Sequence, residues 1–244
     1  MDRIPDVIAH RGYTAEYPEN TIPALLAAVQ AGAPAVEIDI QFSRDRVPVV
    51  FHDADLRRMT GAAGLVGETE LVDLKRLSAH EPGRLGDRHH GVGISTLEEA
   101  AQALADSNVT VFVEIKRETL PIHDIPASVK ACLKACRPLG DRIVIISFDP
   151  GVLQEARSLR KVPIGWVLPA WGTAEGERAR ALKPEYLFCD QDFLPPPPTP
   201  LWDGAWHWVV YEVNDVGAAR QLLARGVGCI ETKEVPTLLT GLRQ

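Results

Sequence analysis

Short hydrophobic runs alternate with segments of helical periodicity along most of the chain. The runs are rich in β-branched residues and are bounded by glycine, proline or polar residues, which is typical of buried strands. These strand-like runs are Asp6–His10, Ala35–Phe42, Val47–His52, Thr110–Lys116, Ile143–Phe148, Pro163–Leu168, Tyr186–Asp190, His207–Val213 and Gly228–Thr232. The helix-like segments are Asn20–Gly32, Thr96–Ala105, Ala127–Cys136, Pro150–Leu159, Ala174–Leu182, Val216–Arg225 and Pro236–Leu242. Strands that alternate with helices indicate βα units around a mainly parallel sheet.

Several of these helices begin at a residue that is typical of an N-cap. Asn20 precedes the first helix, the second opens with Ser95–Glu99 (STLEE), and Asp215 precedes Val216. Because such side chains accept hydrogen bonds from the free N–H groups of the first turn, we expect each helix to start there.

The second and third strand-like runs are too close in sequence to be parallel neighbours. Only Ser43–Arg46 separates Ala35–Phe42 from Val47–His52, whereas a parallel crossover needs about a dozen residues. We therefore predict a hairpin. Without its returning strand eight strands remain, and 244 residues is close to the ~250 that are typical of a (β/α)8 barrel. The pattern predicts an α/β protein with one TIM-type barrel domain over residues 1–244.

One predicted connection is longer than an ordinary loop of a barrel. The segment Ala54–Ile94 is rich in glycine and in charged residues. Long connections within a compact domain are usually functional or contain structure of their own. We expect a small inserted subdomain here, at the mouth of the barrel.

Composition and charge limit the kinds of molecule that this protein is expected to bind. Hydrophobic residues make up 45% of the chain and charged residues 24%, as in globular proteins with a core. The net charge is −7 and the basic residues form no stripe, so we expect no nucleic-acid partner. An anionic small molecule remains possible, because a cleft can focus local positive charge. The sequence leaves the oligomeric state open.

The sequence also lacks the marks of export or membrane insertion. No stretch approaches the ~20 consecutive apolar residues of a membrane-spanning helix, and the first residues contain no apolar signal segment. We therefore expect a soluble cytoplasmic protein without stable membrane insertion. The four cysteines are dispersed, and we expect free thiols.

Acidic side chains stand where a barrel places its active site, at the carboxyl ends of the strands. Glu37 and Asp39 are two residues apart on one predicted strand and therefore share a face, and Glu114 stands two residues before Lys116 on another. Converging carboxylates repel one another unless a cation relieves them, and carboxylate oxygens favour Mg²⁺ or Ca²⁺. The alternative is a structural network of salt bridges with Arg11 and Lys116.

Two histidines follow strand-like runs in the same way. His10 and His52 can each accept or donate a proton near neutral pH, so the pair is suited to acid and base catalysis. The alternative for each is a structural histidine. Arg11 and Lys116 add positive charge that can bind phosphate.

Five motifs in series resemble the glycerophosphodiester phosphodiesterase family, in its bacterial cytoplasmic type. They are Ala9–Gly12 (AHRG), Pro18–Thr21 (PENT), Val36–Gln41 (VEIDIQ), Val47–Asp53 (VPVVFHD) and Glu114–Lys116 (EIK). Weaker agreement continues to Val213–Asn214, so the resemblance covers nearly the whole chain. It also implies a barrel with a small insertion after the second histidine motif.

The resemblance implies a role for each candidate residue. Glu37, Asp39 and Glu114 hold a divalent metal, Mg²⁺ or Ca²⁺. Arg11 and Lys116 bind the phosphate of a small glycerophosphodiester.

The same resemblance implies the reaction. His10 is then the proton acceptor and His52 the donor, and the products are sn-glycerol 3-phosphate and an alcohol. The attacking group, water or the substrate's own glycerol hydroxyl, stays open, as does the alcohol.

The sequence departs from the family pattern near its end. The usual Trp-Thr-Val-Asn reads Tyr211–Asn214 (YEVN), and the usual Ile-Ile-Thr-Asp-x-Pro reads Ile230–Pro236 (IETKEVP). Lys233 thus stands in place of an aspartate. Strand alternation predicts that either Tyr211 or Glu212, but not both, points into the barrel. If Glu212 does, we expect a preference for cationic head groups such as choline.

Two other functions fit the same residues. One is a relative of lysophospholipase D or sphingomyelinase D, which needs an exposed apolar rim for an acyl chain. The apolar candidates for that rim are Trp166, Trp171, Trp202, Trp206 and Trp208, for which core packing is the simpler interpretation. The other is a non-catalytic phosphodiester-binding protein.

Overall fold

Eight parallel strands close into a barrel in the computed structural model, which describes residues 7–118 and 124–243. The strands, with β3 as an antiparallel addition, are β1 (Val7–Ala9), β2 (Ala35–Phe42), β3 (Pro48–Val50), β4 (Thr110–Ile115), β5 (Ile143–Ser147), β6 (Ile164–Val167), β7 (Tyr186–Asp190), β8 (His207–Tyr211) and β9 (Cys229–Thr232). Neighbours follow the order β1-β9-β8-β7-β6-β5-β4-β2-β3, and β1 also pairs with β2, which closes the barrel. The predicted TIM-type barrel is confirmed.

Helices follow or precede most of the strands. They are α1 (Ile22–Gln30), α2 (Arg57–Thr60), α3 (Leu71–Leu74), α4 (Pro82–Leu85), α5 (Leu97–Ala103), α6 (Ile125–Ala135), α7 (Pro150–Leu159), α8 (Thr173–Leu182), α9 (Val216–Ala224) and α10 (Val235–Arg243). Short 3₁₀ helices lie at Val66–Glu68, Arg137–Leu139 and Gln191–Phe193. None of the described helices is both long enough and apolar enough to cross a bilayer.

The predicted hairpin is present. Strand β3 runs antiparallel to β2, with Ile40 opposite Val50, and it stands outside the closed ring. The predicted first strand began at Asp6, which lies outside the described residues; the described part of it pairs with β2 and β9.

The two faces of the sheet pack against different surroundings. Val36, Ile38 and Ile40 belong to the large core between the sheet and the helices. The other face forms a smaller apolar cluster inside the barrel: Ile8, Ala35, Phe112, Val144, Ile146, Val167, Phe188, Val209 and Cys229. Glu37 is opposite Phe112 in the register of β2 and β4, so Glu37 shares the interior face with this cluster.

One predicted helix cap is wrong. Thr21, not Asn20, caps α1, because the Thr21 side chain accepts a hydrogen bond from the Ala24 N–H. Asn20 has a positive φ of 56° and faces β2 instead. The other two caps agree with the sequence: Thr96 forms a capping box with Glu99, and Asp215 accepts from the Ala218 N–H.

The long segment between β3 and α5 contains α2, α3 and α4 and packs around its own small core. That core consists of Phe51, Leu56, Met59, Val66, Leu74, Ala79 and Ile94 of the segment, together with Val49 of β3. A subdomain over about residues 54–94, inserted in one barrel domain, stays a prediction. All four cysteines are buried free thiols.

Candidate active site

The neighbouring strands β2 and β4 bring the predicted metal ligands together. Asp39 is opposite Glu114 in the register of β2 and β4, and Glu37 lies two residues earlier on the same face of β2. All three side chains are buried, and one oxygen from each lies within 4.8 Å of the others. The alternation of β2 therefore places Glu37 and Asp39 as the sequence pattern predicts.

Two cations, buried Lys116 and partly buried Arg11, balance part of this acidic cluster. Lys116 Nζ lies 3.0 Å from Glu114 Oε1 and 3.5 Å from Asp39 Oδ1, and Arg11 Nε lies 3.0 Å from Asp39 Oδ2. Burial alone would raise the pKa of Asp39, but Arg11 and Lys116 hold it well below its usual range. Asp39 is thus an anion held between two cations.

Asn20 fixes the position of Asp39. Its Nδ2 donates to Asp39 Oδ2 at 2.8 Å, and its Oδ1 accepts from the Asp39 N–H at 3.0 Å. The Asn20 side chain therefore holds both the backbone and the carboxylate of Asp39. This is the reason that Asn20 is unavailable as a helix cap.

Glu37 is less well compensated than Asp39. Its Oε2 accepts from the Arg11 backbone N–H at 3.1 Å, while Oε1 is buried without a hydrogen-bond partner among residues 7–118 and 124–243. Burial raises the pKa of Glu37 well above its usual value, and the nearby Asp39 carboxylate raises it further. A buried anion without a partner is costly, so this oxygen is available to a cation.

His10 lies at the carboxyl end of β1, beside Glu212. It is buried, and its Nδ1 lies 3.4 Å from Glu212 Oε1. Burial lowers the pKa of His10 well below 6.5, and the neighbouring Arg11 cation lowers it further. The imidazole is therefore neutral at pH 7 and able to accept a proton.

His52 is more exposed and is held by an acidic partner. Its Nδ1 lies 2.6 Å from Asp53 Oδ1, and Arg58 Nε donates to Asp53 Oδ2 at 2.6 Å. Burial would raise the pKa of Asp53, but hydrogen bonds from His52 and Arg58 hold it well below its usual range. Asp53 therefore stays ionised and fixes the orientation of the His52 ring.

A cavity of about 110 Å³ joins these groups. Its lining residues are His10, Arg11, Glu37, His52, Glu114, Lys116, Ile146, Phe148, Val167, Phe188, Tyr211, Glu212 and Glu231. Ile146, Val167 and Phe188 belong to the apolar cluster inside the barrel, so this cluster forms the floor under the polar groups. Of the seven predicted site residues, Asp39 alone is absent from the lining, because it is covered by Arg11, Lys116 and Asn20.

The prediction that only one of Tyr211 and Glu212 faces the cavity is wrong, because both line it. Strand β8 ends at Tyr211, so Glu212 lies beyond the regular pleat where alternation applies.

A wider cavity of about 440 Å³ adjoins the first and shares Arg11 and His52 with it. Its other lining residues are Thr14, Ala15, Glu19, Asp53, Arg58, Glu81, Arg84, Asn214, Lys233 and Glu234. Four of these, Asp53, Arg58, Glu81 and Arg84, come from the segment between β3 and α5. The site therefore opens toward that segment.

The acidic cluster fits a divalent metal. Glu37, Asp39 and Glu114 supply only carboxylate oxygens, which are the ligands of hard cations. The unpartnered Glu37 Oε1 points to the same conclusion, because a cation would satisfy it.

Comparison with protein families agrees with this geometry. Residues 10–192 match the model of the glycerophosphoryl diester phosphodiesterase family. The chain belongs to this family. The matched residues include all seven predicted site residues but end before Glu212, Glu231 and Lys233.

Curated relatives carry the same family name. The chain is 32% identical over 153 residues to a glycerophosphodiester phosphodiesterase of Caldanaerobacter subterraneus, which is 63% of this chain and 62% of that protein. It is 32% identical over 156 residues to human glycerophosphodiester phosphodiesterase 1, which is 64% of this chain and 46% of that protein. The chain thus spans less than two thirds of the length of either relative.

A solved structure extends the likeness over the whole fold. A phosphodiesterase of Oleispira antarctica, determined in complex with its product sn-glycerol 3-phosphate, superposes with a TM-score of 0.86 at 26% identity. The superposition covers 99% of this chain and 98% of that one.

Several residues of this chain lie in or beside the site, although the sequence analysis gave them no role there. Asn20 and Asp53 lie in the motifs that carry the resemblance, yet their contacts with Asp39 and His52 become visible only in three dimensions. Glu231 lines the cavity from β9 and was noted only within a departure from the family pattern. The available signal was a glutamate in the middle of an otherwise buried strand.

Proposed function

We propose that this chain hydrolyses glycerophosphodiesters to sn-glycerol 3-phosphate and an alcohol, with a divalent metal. The observation that supports this most strongly is the set of groups at one cavity. Two cations, two histidines, Glu37 and Glu114 line it, and Asp39 completes the carboxylate cluster behind them. Membership of the family and the product complex of the Oleispira antarctica relative support the same reaction.

Glu37, Asp39 and Glu114 would hold the metal, for which Mg²⁺ or Ca²⁺ is the expected ion. When bound, such an ion polarises a phosphoryl oxygen and offsets charge in the transition state. Arg11 and Lys116 lie at the same cavity and would bind the phosphate of the substrate. Their contacts with Asp39 keep both cations in place before substrate arrives.

The two histidines differ in a way that supports different roles. Neutral, buried His10 would take a proton from the attacking oxygen. His52, held by Asp53 at the border between the two cavities, would donate a proton to the leaving alkoxide. The wider cavity lies on the His52 side and would receive the alcohol part of the substrate.

The tryptophans do not favour the lysophospholipase D alternative. Trp166, Trp206 and Trp208 are buried, and Trp171 stacks on Trp202 with 4.1 Å between ring centroids. These side chains therefore pack among themselves and against the core, rather than forming a rim for an acyl chain. The cytoplasmic location and the lack of a nucleic-acid partner stay predictions from the sequence.

A substrate panel tests the proposed function. Glycerophosphocholine, glycerophosphoethanolamine, glycerophosphoglycerol and a lysophospholipid would each be assayed with Mg²⁺, with Ca²⁺ and with excess chelator. We expect metal-dependent release of sn-glycerol 3-phosphate from at least one of the three water-soluble diesters. Activity on the lysophospholipid alone would favour the alternative, and no turnover of any diester would favour a binding protein.

A further inference from the structure

Glu231 is a buried carboxylate that the proposed reaction does not use. It lies on β9, opposite Ile8 of β1, and is only 2% exposed. Its pKa is raised well above the usual value by burial and by the neighbouring acids Glu114 and Asp39. The pattern used for the resemblance has an isoleucine at this position, so Glu231 departs from that pattern.

The described ion pairs of Arg11 and Lys116 do not include Glu231. The ion contacts described for Arg11 go to Asp39 and Glu19, and those for Lys116 go to Asp39 and Glu114. Within the described parts of the chain, Glu231 Oε1 is buried and has no hydrogen-bond partner. A buried carboxylate without a partner is unfavourable as an anion, so an additional cation would be stabilising here.

Two other groups that can bind a cation lie close to the Glu231 carboxylate. Glu37 Oε1 is likewise buried without a partner, and His10 lies at the end of the neighbouring strand. One ligand atom each from His10, Glu37 and Glu231 lies within 4.8 Å of the other two. All three residues line the cavity of about 110 Å³. This group is separate from the first acidic cluster except for Glu37, which belongs to both.

We propose that His10, Glu37 and Glu231 form a second cation site, which shares Glu37 with the first. One imidazole nitrogen and two carboxylates are a donor set for a borderline metal such as Zn²⁺ or Mn²⁺, whereas the all-oxygen first cluster suits Mg²⁺ or Ca²⁺. The two sites therefore differ in the class of ion that they select. The binding itself does not depend on the proposed function.

The effect on turnover does rest on the proposed function. A metal ion at the second site uses a lone pair of the His10 imidazole, which is the group expected to accept the proton. Zn²⁺ at this site is thus expected to inhibit hydrolysis in the enzyme that is already loaded with Mg²⁺. The turnover rate would then depend on the concentration of a borderline metal, because that metal occupies the proton acceptor His10.

Equilibrium dialysis against Zn²⁺ in the presence of saturating Mg²⁺ tests the site directly. We expect the wild-type protein to bind one Zn²⁺ per chain, and Glu231→Gln and Glu231→Ile to weaken this binding by at least about tenfold, or 1.4 kcal/mol. Glu212→Gln is the matched control, because Glu212 also lies beside His10 but outside the cluster. Equal loss in Glu212→Gln, or unchanged Zn²⁺ binding in the Glu231 variants, would overturn the proposal.

X-ray absorption of the Zn²⁺-loaded wild-type protein provides a check that needs no variant. We expect the ligands of Zn²⁺ to be one imidazole nitrogen and oxygen atoms. A ligand shell of oxygen atoms alone, or one that contains sulfur, would overturn the proposal. Activity in Mg²⁺ is recorded before Zn²⁺ is added, so failure of the proposed reaction is distinguishable from failure of the second site. In Glu231→Gln, the Zn²⁺ concentration for half inhibition should rise by at least about tenfold.

Discussion

The Glu212 carboxylate forms an ion pair with Lys233, with 2.5 Å between Oε2 and Nζ. Both residues are departures from the pattern used for the resemblance, which has threonine in place of Glu212 and aspartate in place of Lys233. The two departures are therefore coupled in space: one adds a negative charge and the other a positive charge beside it. The sequence led to a conditional expectation, a preference for cationic head groups if Glu212 faces the cavity, and the structure adds the Lys233 counter-ion to it.

This pair leads to a prediction about head-group selectivity. Lys233→Met should raise the ratio of kcat/KM for glycerophosphocholine over glycerophosphoglycerol, because the freed Glu212 carboxylate attracts a cation. Glu212→Gln should lower the same ratio. Both side chains are about one third exposed, so a change of roughly two- to tenfold is expected rather than a larger one.

The ratio measured across the substrate panel checks this prediction, and added salt should reduce the effect. Ratios that stay constant in both charge variants but change in Tyr211→Ala would show that the aromatic ring controls selectivity instead.

A second prediction concerns the metal. Excess chelator should abolish hydrolysis, and Mg²⁺ or Ca²⁺ should restore it. Glu37→Gln and Asp39→Asn should weaken Mg²⁺ binding, measured by calorimetry, because each removes a charged ligand. A thermal melt of each variant shows whether the fold is retained. Full activity in protein shown by elemental analysis to be free of metal would contradict the assignment.

A third prediction concerns proton transfer. His10→Ala and His52→Ala should each lower kcat by ~10²-fold or more, with the Mg²⁺ affinity of the acidic cluster nearly unchanged. The double variant should lose less than the product of the two single effects, since both histidines serve one cycle. His90→Ala, an exposed histidine in the segment between β3 and α5, is the control. Near-normal turnover in His10→Ala or His52→Ala would show that the substituted histidine has a structural role and no part in proton transfer.

The sequence was sufficient to predict the fold and the site wherever one local rule determines the structure. The two-residue spacing of Glu37 and Asp39 determines their common face, and the short connection after β2 requires the hairpin. It was insufficient where the outcome depends on contacts between distant segments. Asn20 has the chemistry of a helix cap, yet it makes two hydrogen bonds to Asp39. Glu231 approaches Glu37 only because the barrel closes through β1.

A fourth prediction concerns acid stability. Glu19 is buried beside Arg58 and Arg11, with contacts of 2.6 Å and 2.9 Å. Burial would raise its pKa, but the Arg58 hydrogen bond and both guanidinium charges lower it. A carboxyl group whose pKa is lower in the folded than in the unfolded state stabilises the fold above its unfolded pKa of about 4.3. That stabilisation is lost as the pH falls through the folded-state value.

Glu19→Gln should therefore lower the free energy of unfolding by about 1–3 kcal/mol at pH 7, and by progressively less below pH 4. Urea unfolding at several pH values measures this difference. Glu16→Gln, at a more exposed neighbour, should change it by less than about 0.5 kcal/mol throughout. A loss in Glu19→Gln that is equal at all pH values would show that shape rather than charge is responsible.

The last prediction concerns Gly12, which follows the first histidine and arginine of the site. Its φ is +90°, and a Cβ atom there would lie 2.6 Å from the backbone carbon of Ala24 in α1. Gly12→Ala should therefore destabilise the fold by more than the ~1 kcal/mol of an unfavourable φ, because α1 must also move. Gly32→Ala separates the two effects, since Gly32 has a φ of +87° with no atom within 4 Å of its Cβ position. Urea unfolding of both variants measures the difference. Equal decreases in the free energy of unfolding would mean that the contact with Ala24 has no cost. A larger decrease in Gly12→Ala, together with reduced turnover, would show that the packing of α1 against this turn holds His10 and Arg11 in place.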